Sequence, residues 1–514
     1  MKVIKIFLIL CFFLTITKID YRLEPPQPTS IGDDANYYFH AKTISKDFDL
    51  DYTNQIDEST YESQFIYTKN EKIIPVHPIG STLFSAPFMF FGNILDSLIN
   101  EGNNEYGYFT YSLSPVFLLF VSCLLLTKSI GLVNQEVSKF EILVLSLGSG
   151  ISYYAFERFG MSHVYEFFGS SLIIFLTVSY INSKSKFLKY FIPFLTFILL
   201  TIRWTNIHFF IIPLLVIKLT KKTSIRKFIY NKEYFLGLLS GLTLFLTHTY
   251  SLYGIFTINP SDIYYKANSN LLKLVNPDGG TLTIIKKLLL NFINLMFTKE
   301  FGLVYFNPVI FTSFVIMIIF LYKKKFSHLL ISILCFMPPV GVVLLWQTTA
   351  SSYGYRYLLS LVPISIFMFY LNIKSIKIKN FLLIISTFSF FSTLFFETSK
   401  MTSLSKNINS FGVEHIYSQP NYLEGYLYSI FDISSYLKIL FTSYMGIILL
   451  KLIILIVDKS QFIDILINFN YYNSEIENLL IESQKMDSLK LLILIIFIYI
   501  LIKNYQKPIK YALD

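Results

Sequence analysis

Apolar runs long enough to cross about 30 Å of hydrocarbon recur from one end of the chain to the other, separated by short polar gaps. They fall at 3–19, 108–127, 140–157, 161–181, 187–202, 205–219, 234–252, 302–322, 326–346, 357–372, 380–396, 434–457 and 488–503. This pattern predicts an all-α polytopic membrane protein with about 11–13 transmembrane helices. The stretch 81–99 is also apolar, but Pro87, Asn93 and Asp96 interrupt it. It reads as a helix lying at the interface rather than a span.

The polar gaps orient the chain. With the N-terminus in the cytoplasm, Lys128, Lys139 and the lysines within 184–189, 218–232, 323–325 and 374–379 all fall on the cytoplasmic side. Each of these loops is basic, as the positive-inside rule requires. The rule loses force over 458–487, where acids predominate, so the side of the C-terminal tail stays open. Three larger segments are then expected outside: 20–107, 253–301 and 397–433. The basic start and short apolar run at the N-terminus resemble a signal peptide. No small-residue cleavage site precedes Lys18-Ile19-Asp20, so an uncleaved first span is expected.

Composition agrees with the pattern. The chain is 54% hydrophobic and only 15% charged, which excludes an ordinary soluble domain. Its net charge of +10 resides in the loop lysines and implies no nucleic-acid partner. Cys11, Cys123 and Cys335 all fall within expected spans and offer neither a disulfide framework nor metal-ligand spacing.

Candidate chemistry begins just after the first span, at Gly32-Asp33-Asp34-Ala35-Asn36-Tyr37-Tyr38-Phe39-His40. Helix capping accounts for one acid at such a place, but not for two with this company. Tyr37, His40 and Ala41 follow at three-, four- and seven-residue spacings, so one helix face is expected to carry an acid, a phenol and an imidazole. A carboxylate there can take a proton from an attacking hydroxyl or amine. A second interfacial helix is expected after His77, which stands between Pro75 and Pro78 on stiff backbone.

The arginines point the same way. Only five of the 43 lysine and arginine residues are arginine, and Arg158, Arg203 and Arg356 map to outer span ends against the positive-inside trend. A planar, permanently charged fork suits a phosphate. Pairing with Glu157 or snorkelling to head groups is the competing account of any one of them. Glycine-rich phosphate loops, His-Glu-x-x-His, Gly-x-Ser-x-Gly and a nucleotide-binding domain are all missing from the sequence. A donor that already resides in the membrane would need none of them.

Taken together, these segments resemble the GT-C superfamily of integral-membrane glycosyltransferases, in particular the protein O-mannosyltransferase and aminoarabinose-transferase type. The resemblance rests on Asp33-Asp34 through Ala41, His77-Pro78-Ile79-Gly80 through Pro87, Phe301-Gly302-Leu303-Val304-Tyr305-Phe306-Asn307-Pro308, and Tyr353-Gly354-Tyr355-Arg356-Tyr357 through Pro363. The second acid departs from the family's more usual glutamate, and no large soluble C-terminal domain follows. The resemblance covers about residues 1–400 as a catalytic transmembrane region, leaving 401–514 as an outer loop and the last helices.

It implies a sugar donor on a polyprenyl phosphate, inverting transfer at the outer face of a bacterial plasma membrane, and a protein, lipid or glycan acceptor. Asp33 would be the general base, with Asp34 the runner-up or an orienting partner. Arg356, with Arg158, Arg203 or Lys299, would hold the donor phosphate. Tyr37, His40, His77 and Tyr353 would contact substrate. No cofactor is expected, although a divalent metal stays open. A multi-pass transporter or a non-catalytic polysaccharide-assembly protein is the alternative. A transporter would carry its ionisable groups near mid-membrane.

Overall fold

The computed structural model describes residues 33–55, 65–67, 73–99, 105–133, 136–259, 262–263, 281–346, 353–395, 422–431 and 488–506. The expected spans 3–19 and 434–457, with Cys11 and Arg22, lie outside the described residues. The fold is all-helical and of multi-pass membrane type. Seven helices among the described residues are long and apolar enough to cross a membrane, and three apolar helices are shorter.

The helices that frame the site are α1 (Asp33–Lys42), α2 (Thr82–Ile99), α3 (Glu105–Leu132), α4 (His163–Ser183), α5 (Lys186–Leu200), α6 (Lys232–Tyr253), α7 (Phe326–Trp346), α8 (Ile376–Leu394) and α9 (Ser488–Gln506). A two-stranded antiparallel ribbon, Phe65–Tyr67 with Ile73–Pro75, leads into His77.

The bundle has two chemically distinct ends. At one end Lys184 faces Lys189, Lys222 and Lys227, and His328 faces Lys218, Lys221 and Lys325. At the other end lie α1, the turn before α4, the turn after α5 and the segment at Arg356. Among the described residues the helices from α3 onward run between these ends, which places the lysines and the arginines as the charge pattern anticipates.

The start of α9 lies at the acid-bearing end, where the Lys490 ammonium sits over the Tyr106 ring. Its last turn lies at the lysine-bearing end, where the Lys139 ammonium donates to the carbonyl oxygens of Tyr505 at 2.8 Å and Asn504 at 3.4 Å. A cation there satisfies carbonyls that the helix itself leaves unpaired. Packing therefore decides what the charge pattern left open: the end of α9 shares a face with the basic loops.

Helix α2 is continuous despite Pro87. Its polar residues are used in packing: Asp96 accepts the backbone N–H groups of Tyr106 at 2.9 Å and Gly107 at 2.8 Å, capping α3, and Asn93 donates to Ser45. By length and composition α2 could cross a membrane. However, its entry docks on Thr201 at the end of α5, and Gly92 lies against Tyr106 in the first turn of α3. Asp96, near the end of α2, also meets the first turn of α3, so the entry and the last turn of α2 both adjoin the acid-bearing end of the bundle.

The expected span 140–157 is not one regular helix. Lys139–Ser146 and Ser152–Phe156 are separated by a wide turn in which Gly150 takes φ 86°. A side chain there would also meet the Tyr353 ring at 2.8 Å, so only glycine permits this approach.

A carboxylate and arginine cluster as candidate active site

Asp33 and Asp34 open α1, where the unpaired N–H groups of a first turn favour negative charge. Each acid meets different partners. Asp33 Oδ1 lies 3.2 Å from His77 Nε2, and Asp33 Oδ2 lies 3.6 Å from Arg356 Nη2 and 3.8 Å from Arg203 Nη2. Asp34 Oδ2 accepts from Arg158 Nε at 3.1 Å. The three arginines that the charge pattern singled out, from three separate segments, converge on the acid pair.

Local structure explains the convergence. Gly80 N–H donates to Thr201 O at 2.8 Å, and a Cβ on Gly80 would stand 2.3 Å from Ile202 N. The missing side chain lets the His77 loop and the segment carrying Arg203 press together. Arg203 and Arg356 share one aromatic support, with their guanidinium carbons 4.5 Å and 5.3 Å from the Tyr357 ring centre. Stacking on a ring fixes the plane of a guanidinium while leaving its edge free for an anion.

The two carboxylates differ electrostatically. Burial pushes the Asp33 carboxyl upward, but His77, Arg356 and Arg203 outweigh this and hold it well below the usual carboxylate range. Burial lifts Asp34 above that range; Arg158 opposes the shift and the charge on Asp33 reinforces it. Asp34 Oδ1 is buried and has no hydrogen-bond partner. A buried oxygen in that condition is costly until a donor arrives.

Tyr37 belongs to the same cluster. Its ring lies 5.6 Å from His77, and its buried hydroxyl faces Arg203 and Ser162 without completing a hydrogen bond of good geometry. Burial raises the phenol well above its ordinary value, so it stays protonated.

Two expected substrate contacts stand elsewhere. His40 is fully buried behind the site, with Nε2 at 2.8 Å from the His77 carbonyl and Nδ1 against the Tyr52 hydroxyl. Its place in the site is support for His77. Tyr353 is buried with its hydroxyl on Ser392, while its carbonyl accepts from Tyr154 at 2.8 Å. It anchors the loop that carries Arg356. Lys299 is exposed and, among the described residues, makes no ion pair with either acid.

Glu166 is the residue that sequence reasoning passed over. It lies in the first turn of α4, is 1% exposed, and its Oε1 accepts from Ser162 Oγ at 2.8 Å. Arg203 Nη1 lies 3.4 Å from that same oxygen and His163 Nδ1 3.3 Å from it. An acid inside an otherwise apolar run was the available signal. Among the described residues no group of three or more His, Cys, Asp or Glu side chains is arranged to hold a metal ion. No protein-family model, curated protein or solved structure matches the chain.

Proposed function

We propose that this chain is a glycosyltransferase that moves a sugar from a polyprenyl phosphate to an acceptor hydroxyl or amine at the acid-bearing, outer end of the bundle. One observation supports the reading above others: two guanidiniums, stacked on one tyrosine, converge on a single carboxylate oxygen beside a second acid that has an unpartnered oxygen. An anion site next to a proton acceptor is what transfer from a lipid phosphate requires.

In this reading the donor phosphate takes the place that Asp33 holds between the two arginines. The phosphate takes over the forks of Arg203 and Arg356, and Asp34 Oδ1 receives the acceptor's proton. The acceptor oxygen or nitrogen attacks the anomeric carbon from the face opposite the phosphate. The bond from that carbon to the phosphate oxygen breaks, its electron pair stays on the phosphate, and the arginines stabilise the growing charge. Geometry thereby favours Asp34 over Asp33 as base, because Asp33 is committed to three partners and Asp34 to one.

The test compares cells with and without the gene. Loss of the protein should make one polyprenyl-phosphate sugar accumulate and remove that sugar from a surface glycan, lipid or protein. Unchanged pools of both would overturn the reading. A multi-pass transporter is the alternative, although Glu166 lies in the first turn of α4 and not at mid-membrane, where coupling groups are expected. That alternative gains if a solute gradient collapses while lipid-linked sugars stay constant.

A further inference from the structure

Arg203 and Arg356 meet the same carboxylate oxygen but are held very differently. Arg203 is 7% exposed and constrained on three sides. One edge, through Nη1, meets Glu166 Oε1 at 3.4 Å; its face covers the Tyr357 ring; the other edge, through Nη2, points at Asp33 Oδ2. Glu166 is in turn fixed by the Ser162 hydroxyl at 2.8 Å, with the His163 ring packed beside it. Arg356 has the Asp33 contact and the more distant face of Tyr357, and among the described residues no second carboxylate pairs with it.

A buried guanidinium stripped of its counter-charge is strongly unfavourable. If the phosphate of a donor displaces Asp33, Arg356 exchanges one anion for another. Arg203 keeps Glu166 throughout, so its direction does not depend on what occupies the site.

We propose that Glu166 is a positioning residue that keeps Arg203 aimed at the reacting phosphate, leaving Arg356 as the cation that follows the ligand. This rests on the functional reading above and adds a division of labour between its two cations. Glu166 touches neither donor nor acceptor. It acts through Arg203, by fixing one edge of the fork so that the other stays aimed at the reacting phosphate.

The experiment uses the full-length protein in lipid nanodiscs, with a polyprenyl-phosphate sugar for turnover and the sugar-free polyprenyl phosphate as the binding probe. Glu166→Gln keeps an acceptor for Ser162 and removes the charge. The expected result is kcat lower by about 10- to 100-fold, the range for a misaimed catalytic group, with tighter binding of the sugar-free lipid. A residue needed only for folding would lower the active fraction and leave kcat per active site and lipid affinity alone.

Unchanged kcat and affinity, or a loss confined to the active fraction, overturns the proposal. Should Glu166→Gln not fold, Ser162→Ala removes the hydroxyl that holds Oε1 and leaves the charge, so a smaller fall in kcat with unaltered lipid affinity is expected; an unchanged kcat overturns the proposal equally. Wild-type protein that neither binds the lipid nor transfers any sugar overturns the functional reading itself, whereas an active wild type with an unaltered Glu166→Gln overturns only the role of Glu166.

Discussion

His40 holds His77 by its backbone: His40 Nε2 donates to the His77 carbonyl at 2.8 Å, and the His77 ring in turn meets Asp33 at 3.2 Å. A carbonyl can only accept, so His40 carries its proton on Nε2 and Nδ1 receives the Tyr52 hydroxyl. Burial brings the pKa of the His40 ring down to about 3, and this is what keeps the ring neutral.

That neutrality makes stability depend on pH. Below about pH 6.5 the unfolded chain gains a proton at His40 that the folded site refuses until about pH 3, so stability falls as pH drops through this window. At pH 5 the loss from this group is about 2 kcal/mol. The thermal midpoint should fall from pH 7 to pH 5. His40→Asn should lower the midpoint at pH 7 and flatten the slope, whereas a variant with the wild-type slope would show that His40 does not carry it.

The acid pair should separate by kinetics. Asp34→Asn should reduce kcat by about 100-fold or more, the scale of a lost general base. Asp33→Asn should tighten binding of sugar-free polyprenyl phosphate, because it frees two guanidiniums, and should slow turnover less. The reverse ranking would return the base to Asp33. In the wild type, activity should fall as pH drops, with the fall centred above the ordinary carboxylate range, since burial raises Asp34.

Arg356→Lys should keep the charge and lose the planar fork and its stacking on Tyr357. A fall of about 10-fold or more in kcat, with normal expression, is expected. Steady-state rates equal to wild type would remove Arg356 from the phosphate site.

Gly80→Ala tests the close approach that joins the His77 loop to Arg203. Its methyl group would stand 2.3 Å from backbone at both Ile202 and Thr201, so the two segments must part. Turnover should drop together with the thermal midpoint, and a variant matching wild type in both would show that the loop yields without cost.

How much of this was legible in advance can be traced residue by residue. Hydropathy and lysine placement are local properties, and by themselves they determined the all-helical membrane architecture, its two chemically distinct ends, and the end to which Asp33, Asp34, Arg158, Arg203 and Arg356 belong. Pairing is not local. The contact between Arg158 and Asp34 spans 124 residues, and which arginine meets which acid depends on how helices pack.

Packing likewise turned His40 and Tyr353 inward, kept Lys299 out of the ion pairs, placed the end of α9 with the basic loops and recruited Glu166. A buried charge is stable only where neighbours supply its partners, and those neighbours exist only once the chain has folded.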